Sequence, residues 1–296
     1  MKKYEKSGYL NSDFKIFHLS DNGLKDFNYH FHSFKKIVLF IKGNVTYCIE
    51  GKYYSLKPYD IVLVNSGEVH KPIIHDSSTY ERIIIYISPN FINAYKEEDY
   101  DLSFCFDKAQ MEQSNVLRID SLRKSKLYKV SLELEQSFHD VEYAKDLYRK
   151  ILFLEFMIQL NRAAIHNRIS YIDRNYSNEK IIHVLDYMNT HITEELTVDT
   201  IAESVFVSKY YLMHLFRKET GYTIGNYITN KRLLLARDLI QSGTPITTAC
   251  YDCGFKNYST FSRAYKKWYQ KVPSDNLTVS KDLHVEIMRY CERSEQ

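Results

Sequence analysis

LTVDTIAESVFVSKYYLMHLFRKETG, running from Leu196 to Gly221, reads as two short helices meeting at a turn. Thr197 precedes the first and Ser208 the second, and each offers a side-chain oxygen to the free backbone N–H groups of a helix start. Ile201, Ala202, Val205, Leu212, Leu215 and Phe216 supply one inward face, where the small Ala202 lets a crossing helix approach. The design returns in TPITTACYDCGFKNYSTFSRAYKKWYQKVP, Thr244 to Pro273. There Gly254 marks the turn, Asn257 caps the second helix, and Phe261 and Tyr265 face inward. Two units of one design are an internal repeat. Between them IGNYITNKRLLLARDLIQSG (Ile224–Gly243) reads as one helix of about 17 residues, ~25 Å long at ~1.5 Å per residue.

Working outward, charge follows the same region. The 296-residue chain carries a net charge of only +3. Yet Val205–Asp275 holds 11 Lys/Arg against 4 Asp/Glu, a surplus of 7 by 11 − 4, which marks it as a polyanion contact. The length favours two domains, each with its own core. A composition of 44% hydrophobic and 26% charged residues excludes a largely disordered chain. Of the five cysteines, only Cys250-x-x-Cys253 has a redox or zinc spacing, and no second Cys or His pair accompanies it. Cys48, Cys105 and Cys291 complete the set, so reduced thiols in a cytoplasmic protein are expected. The N-terminus MKKYEKSGYLNSDF has no apolar signal core, and IVLFI and ILFLEFMI are too short to span a bilayer, so no membrane partner is expected.

Upstream, Phe14 to Ile87 breaks into β-rich runs: KIVLFIKG, VTYCIEGKYYSL, DIVLVNSG, HKPIIH and ERIIIYIS. Gly43, Gly51, Pro58, Gly67 and Pro72 punctuate them at the spacing of a compact barrel or sandwich. After Pro89 the periodicity becomes helical. Leu127, Val130, Leu134 and Phe138 form one stripe, and Leu147, Ile151, Leu154 and Ile158 another. RISYIDRNYSNEK interrupts this pattern, which places a linker at 168–178.

Three features in register, IAESVFVSKYYLMHLFRKETG, IGNYITNKRLLLARDLI and GFKNYSTFSRAYKKW followed by Val272-Pro273, resemble the DNA-binding domain of the AraC/XylS family over Glu179–Thr278. The resemblance implies a double helix-turn-helix whose recognition helices enter successive major grooves, and the connecting helix has the length to hold them apart. Ser208, Lys209, Tyr210, Met213, His214 and Arg217 lie on the first recognition helix's outward face or at its start. The family carries groove contacts onto Tyr210, Met213 and His214, with Tyr210 and Met213 reading thymine methyls and sugar edges. On the second, the outward set is Tyr258, Ser259, Ser262, Arg263, Lys266 and Lys267. Arg263 reads guanine or holds phosphate, and Lys266 and Lys267 clamp phosphates. Departures from the family pattern stand at Phe206, where glycine is frequent, at Ala249-Cys250, and at Gln270.

The segment YHFHSFKKIVLFIKGNVTYCIEGKYYSLKPYDIVLVNSGEVHKP resembles the cupin-like effector domain of the same family. His30, His32 and His70 are expected to converge, with Tyr47, Tyr86 and Glu81 as neighbours by strand register. Three imidazoles suit a metal, but a metal cupin adds a glutamate where this chain has Lys35-Lys36, so no metal and no cofactor are expected. An organic effector and purely structural histidines both remain open.

These readings predict an α+β multidomain protein: a cupin-like β-barrel with trailing helices, then an all-α double helix-turn-helix domain. The expected divisions are an effector-sensing domain at 1–110, a helical packing or dimerisation segment at 111–167, a linker at 168–178 and the DNA-binding domain at 179–280. Expected partners are double-stranded DNA, RNA polymerase, a small-molecule effector and a second copy of the chain. The rival readings are a metal-dependent cupin enzyme with a DNA-binding appendage and a regulator without a small-molecule effector.

Overall fold

The computed structural model describes residue 10 and residues 14–118, 125–172, 175–176, 178–269 and 271–275. Gln270 and Cys291 lie outside the described residues, as does most of the N-terminal stretch before Phe14. The chain forms two compact units that divide between Asn178 and Glu179.

The first unit is a pair of antiparallel sheets. In chain order its strands are β1 (Phe14–Asp21), β2 (Lys35–Lys42), β3 (Val45–Ile49), β4 (Lys52–Ser55), β5 (Ile61–Val64), β6 (His70–Ile74), β7 (Tyr80–Ile87), β8 (Val116–Arg118), β9 (Ser170–Tyr171) and β10 (Asn175–Tyr176). One sheet has the order β1-β7-β2-β5-β8-β9, the other β10-β4-β3-β6. The β3–β4 hairpin turns on Glu50 and Gly51, both at positive φ (47° and 72°), the two-residue turn that matches strand twist.

Strand alternation divides the large sheet's side chains between two cores. Ile37, Leu39, Ile61, Leu63, Ile83 and Ile85 face helices and are buried with Phe153 and Phe156. Val38, Phe40, Val62, Val64 and Ile84 face the small sheet, where they meet Val45, Tyr47, Ile49 and Tyr54. The helices of this unit are α1 (Pro89–Asn93), α2 (Phe104–Met111), α3 (Lys126–Gln136) and α4 (Lys145–Ile165). Ser125 caps α3 by accepting from the Tyr128 N–H. Leu127, Val130 and Leu134 are buried as their spacing predicts.

Three expectations need correction. On α4 the buried stripe is Leu152, Phe153, Phe156, Met157 and Leu160. Leu147, Ile151 and Ile158 are exposed, because the helix is apolar on more than one face and its aromatic side takes the core. The segment 168–178 is not a plain linker: β9 pairs with β8 and β10 with β4, so it adds a strand to each sheet. Strand β8 likewise lies within the stretch expected to be helical, and pairs with β5.

The second unit is helical: α5 (Glu179–Thr190), α6 (Val198–Ser204), α7 (Lys209–Thr220), α8 (Ile224–Gln241), α9 (Ile246–Asp252) and α10 (Tyr258–Tyr269). Thr197 and Thr200 form a reciprocal capping box on α6. Gly221, at φ 74°, closes α7 in the left-handed conformation that glycine adopts without strain. The 18 residues of α8 span ~27 Å. Its first half buries Ile224, Tyr227 and Ile228, with Tyr227 edge-on to Phe216 of α7 at 5.5 Å. Its second half buries Leu233, Ala236 and Ile240 against Ala249, Cys250, Phe261 and Tyr265. One helix therefore belongs to both helix-turn-helix cores.

Candidate functional site

The two recognition helices are built alike. Ser208 accepts from the Tyr211 N–H at the start of α7 (3.3 Å), and Asn257 accepts from the Thr260 N–H at the start of α10 (2.8 Å). Leu212, Leu215 and Phe216 turn inward on α7, as Phe261, Tyr265 and Tyr269 do on α10. The remaining faces carry the polar side chains. Ser208, Lys209, Tyr210, Met213, His214 and Arg217 are all exposed. On α10, Tyr258, Ser259, Arg263, Lys266 and Lys267 are exposed and Ser262 is partly so. Tyr210 is 77% exposed, a large aromatic surface for a helix in water. Lys209 reaches Asp199 at 3.3 Å, and Arg263 donates from Nε to the Ser259 carbonyl (3.2 Å), which leaves the rest of its guanidinium fork facing outward.

In the first unit the three histidines meet. Ring centroids are 5.0 Å apart for His30–His32, 4.4 Å for His30–His70 and 5.2 Å for His32–His70. His30 and His32 do not lie on a regular strand; a backbone bridge with reciprocal N–H···O bonds of 3.1 and 2.8 Å ties His30 to His70 at the start of β6. Tyr47 stacks near His70 (6.1 Å) and Tyr86 near His32 (5.5 Å). Glu81 is not part of this cluster. It is five residues from Tyr86 on β7 and so faces the other side of the sheet, where it pairs with His18 (2.9 Å) and Lys42 (3.0 Å).

Each of the three imidazoles offers a ring nitrogen within 4.8 Å of the others, a spread that would suit a metal. The donor set does not fit a divalent cation, because both ring nitrogens of His70 are engaged: Nε2 faces the buried Lys36 nitrogen at 3.2 Å and Nδ1 the Glu68 carbonyl. Burial is the first cause that keeps the imidazoles neutral, and the charge of Lys36 adds to it. His30 is held down at about 4 and His70 well below its ordinary value. Burial, with Arg82 close by, pushes Lys36 down to about 7. His70 Nδ1 faces the Glu68 carbonyl at 2.8 Å and His30 Nδ1 the Asn28 carbonyl at 2.9 Å.

Comparison with known proteins agrees with this division. A profile described as a Helix-turn-helix domain matches residues 201–277, and one described as an AraC-like ligand binding domain matches residues 19–137. The regulatory protein SoxS of Escherichia coli K12 is 37% identical over 101 residues, covering 33% of this chain and 94% of SoxS. The chain belongs to the AraC/XylS family. The HTH-type transcriptional activator RhaS of Escherichia coli O139:H28 is 21% identical over 257 residues, covering 84% of this chain and 87% of RhaS. Among solved structures, ToxT of Vibrio cholerae is 16% identical over 90% of this chain and 98% of its own, with a TM-score of 0.36.

This AraC/XylS member is a DNA-binding transcription regulator with a ligand-binding domain. Its departures from the family pattern have a visible accommodation. Phe206 takes φ 55° at the first turn and leaves its ring 94% exposed. Ala249 and Cys250 are both fully buried, their small side chains packed beneath α8. Cys253 Sγ donates to the Cys250 carbonyl at 3.3 Å, so the Cys-x-x-Cys spacing here serves a helix end. Two interior residues of the sandwich escaped the sequence reading as site residues: Lys36, noted only as a charge adverse to metal, and Arg82. Both are even-numbered on strands whose even positions face the small sheet, and that parity was the available signal.

Proposed function

We propose that this regulator is a one-component switch that activates transcription when a small molecule occupies its β domain. The observation that carries the reading is the pair of exposed, similarly capped helices α7 and α10, attached to opposite halves of one ~27 Å helix. Each presents a row of cationic, hydroxyl and aromatic side chains that a major groove accepts, and successive grooves repeat at ~34 Å. His214 and Arg263 read bases in this proposal, while Lys266 and Lys267 hold phosphates.

The switch acts in the cytoplasm as a homodimer that recruits RNA polymerase, and it is not an enzyme. Support for dimerisation comes from α4, where Leu147, Ile151 and Ile158 expose an apolar stripe along one side of a 21-residue helix. Such a stripe is covered when a second copy lays the same face against it. Among the described residues, no helix is long and apolar enough to cross a membrane.

The test is binding of the purified chain to its own upstream promoter DNA over a salt series, comparing wild type with Arg263→Ala and His214→Ala. Each change is expected to cost ~1–3 kcal/mol of discrimination, about five- to 150-fold, against promoter DNA and little against random DNA. Equal weak binding of all three proteins to any DNA overturns the readout assignment.

A further inference from the structure

The polar groups that DNA binding leaves unexplained are inside the β sandwich. Lys35 and Lys36 sit side by side on β2 and point to opposite faces. Lys35 donates to Asn65 Oδ1 at 2.6 Å and has the carboxylates of Asp107, Glu68 and Asp101 around it. Arg82, buried on β7, meets Asp21 at 2.5 Å. Lys36 has no comparable counter-charge. It is 4% exposed, its one side-chain hydrogen bond goes to neutral His70, and among the described residues no carboxylate pairs with it.

Donor bookkeeping sharpens the contrast. In its charged form Lys36 has three N–H donors; His70 takes one, and the Tyr47 ring lies 5.8 Å from the nitrogen without supplying an acceptor oxygen. His32, 3% exposed, has neither ring nitrogen hydrogen-bonded among the described residues, although one of the two must carry a hydrogen. Buried donors left in this state destabilise a fold unless something else supplies the acceptor. The complement to two ammonium N–H groups and one imidazole N–H is a negatively charged group with two acceptor oxygens. Flat apolar walls adjoin it, since Phe34 stacks on His32 at 4.6 Å and Tyr86 lies 4.7 Å from Phe34.

We propose that Lys36 and His32 form the headgroup site for a small organic carboxylate, the effector class of this regulator. The inference rests on the effector reading given above. Neutrality of His32, held down by burial before any other cause, leaves Lys36 to supply the positive charge and His32 the second donor. Binding is then reported through β2 and through His70, whose backbone bridge fixes His30.

Thermal unfolding and calorimetric titration of the full-length protein with sodium benzoate and sodium hexanoate, each beside its amide and beside sodium chloride at equal ionic strength, test this. Wild type should unfold at a midpoint several degrees higher with at least one carboxylate and unchanged with the amides. Lys36→Met should weaken carboxylate binding at least tenfold while its unliganded midpoint equals or exceeds that of wild type. A lower unliganded midpoint for Lys36→Met would make Lys36 a structural donor and sink the proposal. So would an unchanged response in that variant, stoichiometric zinc uptake at the histidines, or no response of wild type to either acid. Should Lys36→Met fail to fold, Lys36→Gln with NMR of the lysine ammonium in wild type replaces it. That signal should titrate at higher pH once benzoate is bound; an unmoved titration is the contrary result. Amides binding as well as acids would leave an effector site standing and remove the anion. Promoter binding in the same preparation reports separately on the regulator reading.

Discussion

The two helix-turn-helix units solve one problem in opposite ways. Both need a left-handed residue where the first helix gives way to the turn. The first unit uses Phe206 at φ 55° with its ring almost wholly in solvent; the second uses Gly254 at φ 89° in a crowded place. A Cβ on Gly254 would come within 2.7 Å of the Thr193 carbonyl oxygen and 3.0 Å of the Arg232 guanidinium, which itself donates to the Ile192 carbonyl at 2.8 Å. Left-handed backbone strains any L side chain, but only the second turn also lacks space for one. The repeat thus shares a left-handed turn residue and is unequal in tolerance.

Four substitutions would break or sharpen that contrast. Gly254→Ala should be the most severe, losing roughly 3 kcal/mol from a conformational penalty of ~1–2 and overpacking of ~1–3, measured by thermal or urea unfolding of the helical unit. A loss below about 1 kcal/mol would mean that the Thr193–Glu194 turn yields, and the contrast between the turns would shrink. Next come the caps: Ser208→Ala and Asn257→Ala should each cost about 1 kcal/mol, and similar losses would confirm that α7 and α10 are started by equivalent devices. Smallest, and of opposite sign, Phe206→Gly should stabilise by up to ~1 kcal/mol by relieving the left-handed strain, since almost no buried surface is lost. A destabilised Phe206→Gly would show that the ring makes a contact the free chain needs.

Legibility in the sequence followed how each region hides or shows its polar groups. The helical unit keeps apolar residues at helical spacing and cap residues at helix starts, so Thr197, Ser208 and Asn257 are legible as caps in the sequence. The longer strands were equally plain. Strands β8, β9 and β10 are only two or three residues each, too short to carry a period of two, and so they passed for helix and linker. On α4, apolar residues on several faces made the choice of core stripe arbitrary; burial of Phe153 and Phe156 decides it. Glu81 was misplaced by parity with Tyr86. Lys36 was visible as a residue, but that no carboxylate among the described residues pairs with it is a fact about folding partners far away in the chain.

The edge strands at Ser170–Tyr171 and Asn175–Tyr176 bear on how the sensor can be reused. Cutting the chain at 168 removes the outermost strand of both sheets, exposing the edges of β8 and β4 to pairing with other chains. A graft of this sensor onto a foreign output domain therefore keeps its solubility only if the splice falls at Asn178 or later.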